Sequence, residues 1–168
     1  MAEPPGPVDA ILADLAAART AFLGALDAID PALMTAPGLV GDWSARELLG
    51  HLGYWSGHAA EAIHRAELDD LGAFGIDELS VDERNEVVAR VAAESTMRVV
   101  RQREAAAYEA LVERLTSVDP DWLDERDADG DSLRDILDYD GASHYREHLL
   151  DVEGWFSGTA EPDDEDDA

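Results

Sequence analysis

The amino-acid sequence predicts an all-α protein that folds as a four-helix bundle. Apolar residues recur at spacings of three, four and seven along much of the chain, whereas no strand-like alternation is longer than four residues. Serine-x-x-glutamate capping signals and clusters of proline and glycine divide this pattern into four amphipathic segments. Amphipathic helices joined by short or medium loops bury their apolar faces by packing as a bundle.

Prolines and a capping signal delimit the first two helices. Helix one is expected to begin at Val8 and to end before Pro31, because the following PALMTAPGLVGD carries two prolines and two glycines. Helix two begins at Ser44, which forms a capping-box pattern with Glu47, and extends to about Asp69. Its interior contains three glycines that each cost ~1 kcal/mol of helix propensity relative to alanine, and close approach of a neighbouring helix explains them. They are Gly50, Gly53 and Gly57.

The third helix is expected to extend as one unit from Ser80 to about Thr116. Ser80 and Glu83 repeat the capping-box pattern. The stretch 97–107 is polar, so a kink or partial exposure is predicted there. The loop LGAFGIDEL precedes this helix, and the acidic loop SVDPDWLDERDADGD follows it.

The fourth helical segment opens at Ser132 and extends to about Phe156. Asp140 and Gly141 lie inside it and are expected to divide it into a short piece and a longer one. The predicted bundle therefore spans residues 8–157.

Length and composition fit one domain. The 168 residues are enough to bury a core without disulfide bonds, and the chain has no cysteine. The Pro-rich residues 1–7 and the acidic residues 158–168 are expected to be disordered. The N-terminus carries neither a basic segment nor an apolar run, and no stretch approaches the ~20 apolar residues of a membrane span. We therefore expect a soluble, cytoplasmic protein.

The charge balance argues against two classes of partner. The net charge is −27, and all 12 basic residues are arginine. Such a surface repels nucleic acids and anionic membranes, so neither is expected as a partner. The expected partner is a small-molecule substrate. Salt adaptation and a GC-rich genome are the two competing explanations of the acidic, lysine-free composition.

Three histidines are candidate metal ligands. His144 and His148 lie four residues apart in HYREH, so a helix places both imidazoles on one face with Cβ atoms ~5–6 Å apart. His51 lies among leucines about two turns into helix two, where a buried ring needs partners for its nitrogens. Two solvated histidines and one ordinary core histidine are the competing interpretation. Three imidazoles suit zinc, nickel, iron or copper; zinc is the default and nickel the main alternative.

His58 and Glu61, which follow His51 on the same helix, are candidates for proton transfer. His58 lies seven residues after His51, on the same helix face, and is interpreted as a pocket residue rather than a fourth ligand or a surface residue. His58 and Glu61 are the candidate general bases. His64 shows no partner pattern and is expected to be exposed.

Two carboxylates are candidates to orient ligand histidines. Asp140 lies four residues before His144, and Asp151 lies three residues after His148. Either carboxylate could accept the second ring N–H of a ligand and fix its orientation.

The blocks DWSARELLGHLGYW and HYREHLLDVEGW resemble the DinB/YfiT-like superfamily of metal-binding four-helix bundles. The resemblance covers nearly the whole chain, from about Val8 to Phe156. The second half is most similar to the ClbS/DfsB-type subgroup, through the residues at 82–85, 120–123 and 132–133 and through HYREH. The N-terminal domains of mycothiol-dependent maleylpyruvate isomerases are similar too.

The resemblance implies an up-down-down-up bundle with a divalent metal ion on His51, His144 and His148. The superfamily contains thiol S-transferases that act with bacillithiol or mycothiol, a maleylpyruvate isomerase and hydrolase-like resistance proteins. The isomerases resemble this chain only in their first domain, so full isomerase activity is not expected. Bundle size and the resemblance together suggest a homodimer.

Three functions follow as hypotheses. Three protein ligands leave an open coordination position, which favours a metal-dependent enzyme of thiol metabolism or detoxification, a thiol S-transferase or hydrolase with a low-molecular-weight thiol as co-substrate. The alternative is a non-catalytic resistance protein that sequesters a toxic electrophile in a metal-containing pocket. The third is a stress protein whose metal only stabilises the fold.

Overall fold

The computed structural model describes residues 5–76 and 78–159, and this part of the chain is all-α, as predicted. It contains six α-helices: α1 (Pro7–Asp27), α2 (Ala45–Glu67), α3 (Val81–Ala93), α4 (Met97–Ser117), α5 (Leu133–Leu137) and α6 (Ser143–Thr159). Short 3-10 turns occupy Pro31–Leu33, Leu71–Ala73 and Pro120–Asp124. The described residues form no β-strand, only two isolated bridges.

Helix α2 is the centre of the packing. It packs most extensively against α4 and α3 and also contacts α5 and α6, while α1 packs against α6 and α4. The side chains between these helices form one apolar core. Core side chains that are at most 2 % exposed include Leu15, Phe22, Leu26, Leu48, Leu52, Ile63, Leu111, Leu115, Tyr145 and Val152. The up-down-down-up order stays a prediction.

The predicted third helix is two helices in the structure. Helix α3 ends at Ala93 and α4 begins at Met97, with Thr96 as its N-cap. The Thr96 hydroxyl accepts a hydrogen bond from the Val99 backbone N–H at 3.3 Å, and the Ser95 hydroxyl donates to the Val91 carbonyl at 2.8 Å. Because these hydroxyls offer the backbone local partners outside a continuous helix, the chain turns before the polar stretch rather than within it.

The predicted interruption between α5 and α6 takes the form of a π-helical turn, Asp138–Ala142, which we call the π-turn. Gly141 lies inside it with non-helical backbone angles, φ −110° and ψ −110°. Such turns alter the register between the helical segments that they join. The π-turn contacts α1, α2, α5 and α6, so it sets how α6 meets α2.

Close approach of helices accounts for two of the α2 glycines, as the sequence predicted. A Cβ atom added at Gly50 would lie 2.6 Å from the Ala92 Cβ, and one added at Gly53 would lie 2.9 Å from the Glu104 Cα. These distances are shorter than van der Waals contact, so only glycine lets α3 and α4 lie this close to α2.

Substituting Gly53→Ala is expected to lower the free energy of unfolding by about 1–3 kcal/mol, because the methyl group would overlap the α4 backbone. Chemical denaturation measures this change. The matched control is Gly24→Ala in α1, where nothing lies within 4 Å and better helix propensity should add up to about 1 kcal/mol. Equal effects of the two substitutions would contradict the packing argument.

The expected disordered ends lie mostly outside the described residues, which leave out 1–4 and 160–168. Helix α1 begins at Pro7, and α6 extends to Thr159. None of the described helices is both long and apolar enough to cross a membrane.

Candidate metal centre

The three candidate ligands converge between α2 and α6. One nitrogen from each of His51, His144 and His148 lies within 4.8 Å of the other two. The Nε2 atoms of His51 and His144 are 2.8 Å apart. The three ring centroids are separated by 4.7, 5.2 and 4.9 Å. Residues 93 positions apart in the sequence thus share one site.

Two tryptophans flank the His51 ring. Its centroid lies 5.1 Å from that of Trp43, which precedes α2, and 6.3 Å from that of Trp55, one turn further along α2. The Trp55 indole N–H donates a hydrogen bond to the Asn85 Oδ1 at 3.0 Å, which ties α3 to this wall of the site. The aromatic contacts limit how far the His51 ring can rotate.

Burial keeps the rings of His51 and His144 uncharged at neutral pH. His51 is 5 % exposed and His148 is 8 % exposed, while His144 is half-buried. Desolvation, followed by the charge of neighbouring histidines, lowers the pKa of His51 to about 4 and that of His144 to about 3. At pH 7 their lone pairs are therefore available to a metal ion.

One candidate ligand is held by a carboxylate. The His148 Nδ1–H donates to the Asp151 Oδ2 at 2.7 Å, as the sequence analysis suggested. This bond leaves the Nε2 of His148 as the nitrogen for the centre. The buried Nδ1 atoms of His51 and His144 have no hydrogen-bond partner among the described residues.

Asp140 does not orient a ligand histidine, which is the role that the sequence analysis suggested for it. Its Oδ2 is hydrogen-bonded to the Nδ1 of His58 at 2.6 Å, so it pairs with α2 rather than orienting His144. A residue four positions before His144 shares its helix face only in an unbroken α-helix, whereas Asp140 lies in the π-turn. Asp140 is 5 % exposed, and burial raises its pKa although the bond to His58 opposes this change.

The donor set fits a divalent metal ion. Imidazole nitrogens bind zinc at ~2.1 Å, which places the nitrogens of a tetrahedral site ~3.4 Å apart. The Nε2 atoms of His51 and His144 are 2.8 Å apart, and all three ligand nitrogens lie within 4.8 Å of one another, so small side-chain rotations would complete the site. Uncharged imidazoles are also the ligand form that such an ion requires.

A cavity of about 460 Å³, here called the histidine cavity, opens beside the three rings. Three protein ligands on its wall leave the open side of the centre for a small molecule. The other lining residues are Val40, Trp43, Trp55, Val81, Asn85, Tyr139, Asp140 and Glu147. Sequence reasoning missed Glu147 and Tyr139 as pocket residues, because no spacing signal marks them.

His58 and Glu61 line a different cavity, of about 600 Å³, which we call the second cavity. The His58 ring centroid lies 4.4 Å from that of Phe74 and 4.9 Å from that of Trp55, and Glu61 accepts a hydrogen bond from the Arg65 Nε at 3.0 Å. Seven residues along a helix preserve the face but advance ~10 Å, which explains the change of cavity. Their catalytic role stays a prediction.

The other α2 histidine lies apart from the centre. His64 is 39 % exposed, and its Nδ1 lies 3.5 Å from the Glu67 Oε2 and 3.4 Å from an Arg114 guanidinium nitrogen. His64 is therefore half-exposed and has charged partners, whereas the sequence analysis expected an exposed residue.

Removing the Asp151 carboxylate is expected to weaken metal binding. In Asp151→Ala, His148 loses the acceptor that fixes its tautomer, and we expect a ten- to hundredfold loss of metal affinity. Competition with a chromogenic chelator measures this loss. The control is Asp42→Ala, at an exposed position before α2, and an equal affinity of the two variants would contradict a role for Asp151.

Solved structures share this fold. An uncharacterised protein from Escherichia coli UTI89 aligns with a TM-score of 0.77 at 12% identity, over 94% of this chain and 97% of that one. A protein from Streptococcus pneumoniae aligns with a TM-score of 0.71 at 11% identity, over 94% of each chain. A mutant of a mycothiol-dependent maleylpyruvate isomerase aligns with a TM-score of 0.72 at 15% identity, over 88% of this chain but 61% of that one.

At these identities the structural likeness establishes the fold alone. No curated protein matches the sequence. The family model described as the DinB superfamily matches residues 14–151, a range that extends from α1 into α6 and includes all three histidines. The chain therefore belongs to the DinB superfamily.

Proposed function

We propose that this protein is a metal-dependent enzyme of thiol metabolism or detoxification, a thiol S-transferase or hydrolase that uses His51, His144 and His148. The observation that carries the proposal is the convergence of three imidazoles on the wall of an open cavity. A divalent ion held there, with zinc as the first choice and nickel as the second, would act as a Lewis acid that activates a water or a thiol near neutral pH.

A proton route out of the histidine cavity forms the second part of the proposal. Asp140 lines that cavity, and its Oδ2 lies 2.6 Å from the Nδ1 of His58, so one proton can pass between them. His58 in turn lines the second cavity together with Glu61. In this proposal His58 carries its resting proton on Nε2, so Asp140 can take a proton from the reacting group and pass it to the Nδ1 of His58. The Nε2 proton then leaves into the second cavity, where Glu61 is the outer acceptor.

The relatives support a thiol as co-substrate. One structural neighbour is a mycothiol-dependent enzyme, although this chain covers 61% of it. The fold likeness and the three-histidine cluster make a low-molecular-weight thiol a reasonable co-substrate, and isomerase activity is not part of the proposal.

The test combines metal loading with two assays. Protein loaded with zinc or nickel is assayed for transfer of mycothiol or bacillithiol to 1-chloro-2,4-dinitrobenzene and for hydrolysis of p-nitrophenyl acetate. We expect activity that is lost in His144→Ala, retained in the matched control His64→Ala and reduced in His58→Ala. Equal activity of His144→Ala and the unaltered protein would overturn the proposal. Tight binding of an electrophile that is recovered chemically unchanged would support the sequestering alternative.

A further inference from the structure

A cleft separates α3 from α4, on a different face of α2 from the candidate ligand His51. Both helices pack extensively against α2, but they make few contacts with each other after the chain turns between them. The cleft contains a cavity of about 390 Å³, which we call the valine cavity. Gly50 and Gly53 of α2 line its base.

The walls of the valine cavity are mainly apolar. Val87, Val88 and Val91 line it from α3, and Val100 lines it from α4. Val87 is 39 % exposed and Val91 is 46 % exposed, although a spacing of four places both on one face of α3. An apolar helix face normally packs against a neighbouring helix, whereas this one borders open space. A ligand that covers these valines therefore gains the free energy of burying apolar surface.

Two of the polar side chains that line the valine cavity are already satisfied. The Tyr54 hydroxyl accepts a hydrogen bond from the Arg84 guanidinium at 2.9 Å. Both carboxylate oxygens of Glu104 accept hydrogen bonds from Arg19, and one of them also accepts from the Tyr145 hydroxyl. Because Arg19 offsets the charge of Glu104, this buried carboxylate does not determine which charge a ligand carries.

Arg103 is the lining residue that is available to a charged ligand. It is exposed on α4, and its guanidinium donates a hydrogen bond to the Ser95 hydroxyl at 3.1 Å. No carboxylate of the described residues forms an ion pair with Arg103, in a chain with 39 acidic and 12 basic residues. A guanidinium with further N–H groups to donate, at the edge of an apolar cavity, suits a carboxylate.

We propose that the valine cavity binds a small amphipathic monocarboxylate, with its apolar body against the valines and its carboxylate on Arg103. A cavity of this size takes a molecule of about ten non-hydrogen atoms, such as a fatty acid of medium chain length. Binding there requires neither the metal ion nor the proposed enzyme activity.

A second copy of the chain is a less suitable occupant. Glu86, Arg90 and Glu94 are exposed beside Val87 and Val91 on α3, so charged side chains border the apolar strip. Two copies that each carry a net charge of −27 also repel each other. A small molecule reaches the valines without bringing a second acidic surface against them.

The test titrates the full chain with octanoate, octanol and octylamine, which share one alkyl chain and differ in the charge of the head group. Methyl NMR spectra of valine-labelled protein report affinity and location together. We expect saturable shifts at the valines of the cavity, with octanoate binding about fivefold more tightly than octanol and octylamine binding most weakly. The overall field of this acidic protein acts in the opposite sense, because it attracts octylamine.

Matched variants identify the source of the preference. Arg103→Gln and Arg98→Gln each remove one exposed positive charge from α4, but only Arg103 lines the valine cavity. We expect Arg103→Gln to weaken octanoate binding about fivefold and to leave octanol binding unchanged. Arg98→Gln should leave the order and the strength of binding of all three ligands as they are.

The location of the shifts separates this cavity from the metal centre. Val40 and Val81 line the histidine cavity, so their methyl groups report a carboxylate that binds a metal ion there instead. Shifts confined to these two valines, or no saturable shift with any ligand, would overturn the inference.

Three further results would also overturn it: octanol or octylamine binding as tightly as octanoate, equal effects of the two arginine variants, or a dimer in sedimentation velocity that octanoate does not dissociate and whose interface covers Val87 and Val91. The dimer would assign the cleft to a second copy of the chain. Because turnover is not a readout, failure here leaves the proposed enzyme activity untouched, and failure of that activity leaves the valine cavity untouched.

Discussion

Alanine at any one of His51, His144 and His148 is expected to lower metal affinity by more than about a hundredfold. Each change removes one of three converging imidazoles, and the loss should exceed the ten- to hundredfold effects that are typical of groups that only support a ligand. Chelator competition measures the affinity, and circular dichroism checks that the helices are retained.

The matched control for this series is His64→Ala. His64 lies on the same helix as His51, is 39 % exposed and contacts Glu67, so its removal should leave the metal affinity unchanged. Retention of one tightly bound ion by all three ligand variants would show that the metal binds elsewhere.

Glu104→Ala is expected to lower the free energy of unfolding by about 3–5 kcal/mol. Glu104 is 2 % exposed and accepts two hydrogen bonds from Arg19, from Nε at 2.7 Å and from a terminal nitrogen at 2.8 Å. It also accepts a hydrogen bond from the Tyr145 hydroxyl at 2.6 Å. Its removal would leave a partly buried guanidinium and a buried hydroxyl without their acceptor. Guanidinium chloride denaturation measures the loss.

Two other substitutions calibrate this result. Glu104→Gln keeps the shape and one acceptor, so its effect should be smaller than that of alanine. Glu109→Ala, at an exposed position on the same helix, should change stability by less than about 0.5 kcal/mol. If Glu104→Ala and Glu109→Ala had similar effects, the buried network would not contribute to stability. Tyr145 is the neighbour of His144, so the network also holds α6 against α1, α2 and α4.

The helix starts could be predicted because their signals are local. Ser44 and Ser80 each form the capping box that the sequence suggested, and Ser132, which was expected to open the fourth segment, also forms one with Asp135. The start of α4 escaped prediction because Thr96 has Val99 three positions later, so the pattern is incomplete although the hydroxyl still caps the helix. Local signals thus gave the fold class but not every boundary.

The candidate site could be predicted only in part. The spacing of His144 and His148 places both on one helix face, but no local signal brings them to His51. The pairing of Asp140 with His58 depends on the π-turn, whose register the α-helical spacing rule does not describe. Contacts across helices and breaks in register are properties of the whole fold.

Anomalous diffraction from zinc-loaded crystals is the most direct test of the metal centre. Data collected above and below the zinc absorption edge locate the ion without reference to activity. The account predicts one strong peak about 2.1 Å from a nitrogen of each of His51, His144 and His148. A difference map with no peak there, or with zinc only on the acidic surface, would contradict the assignment.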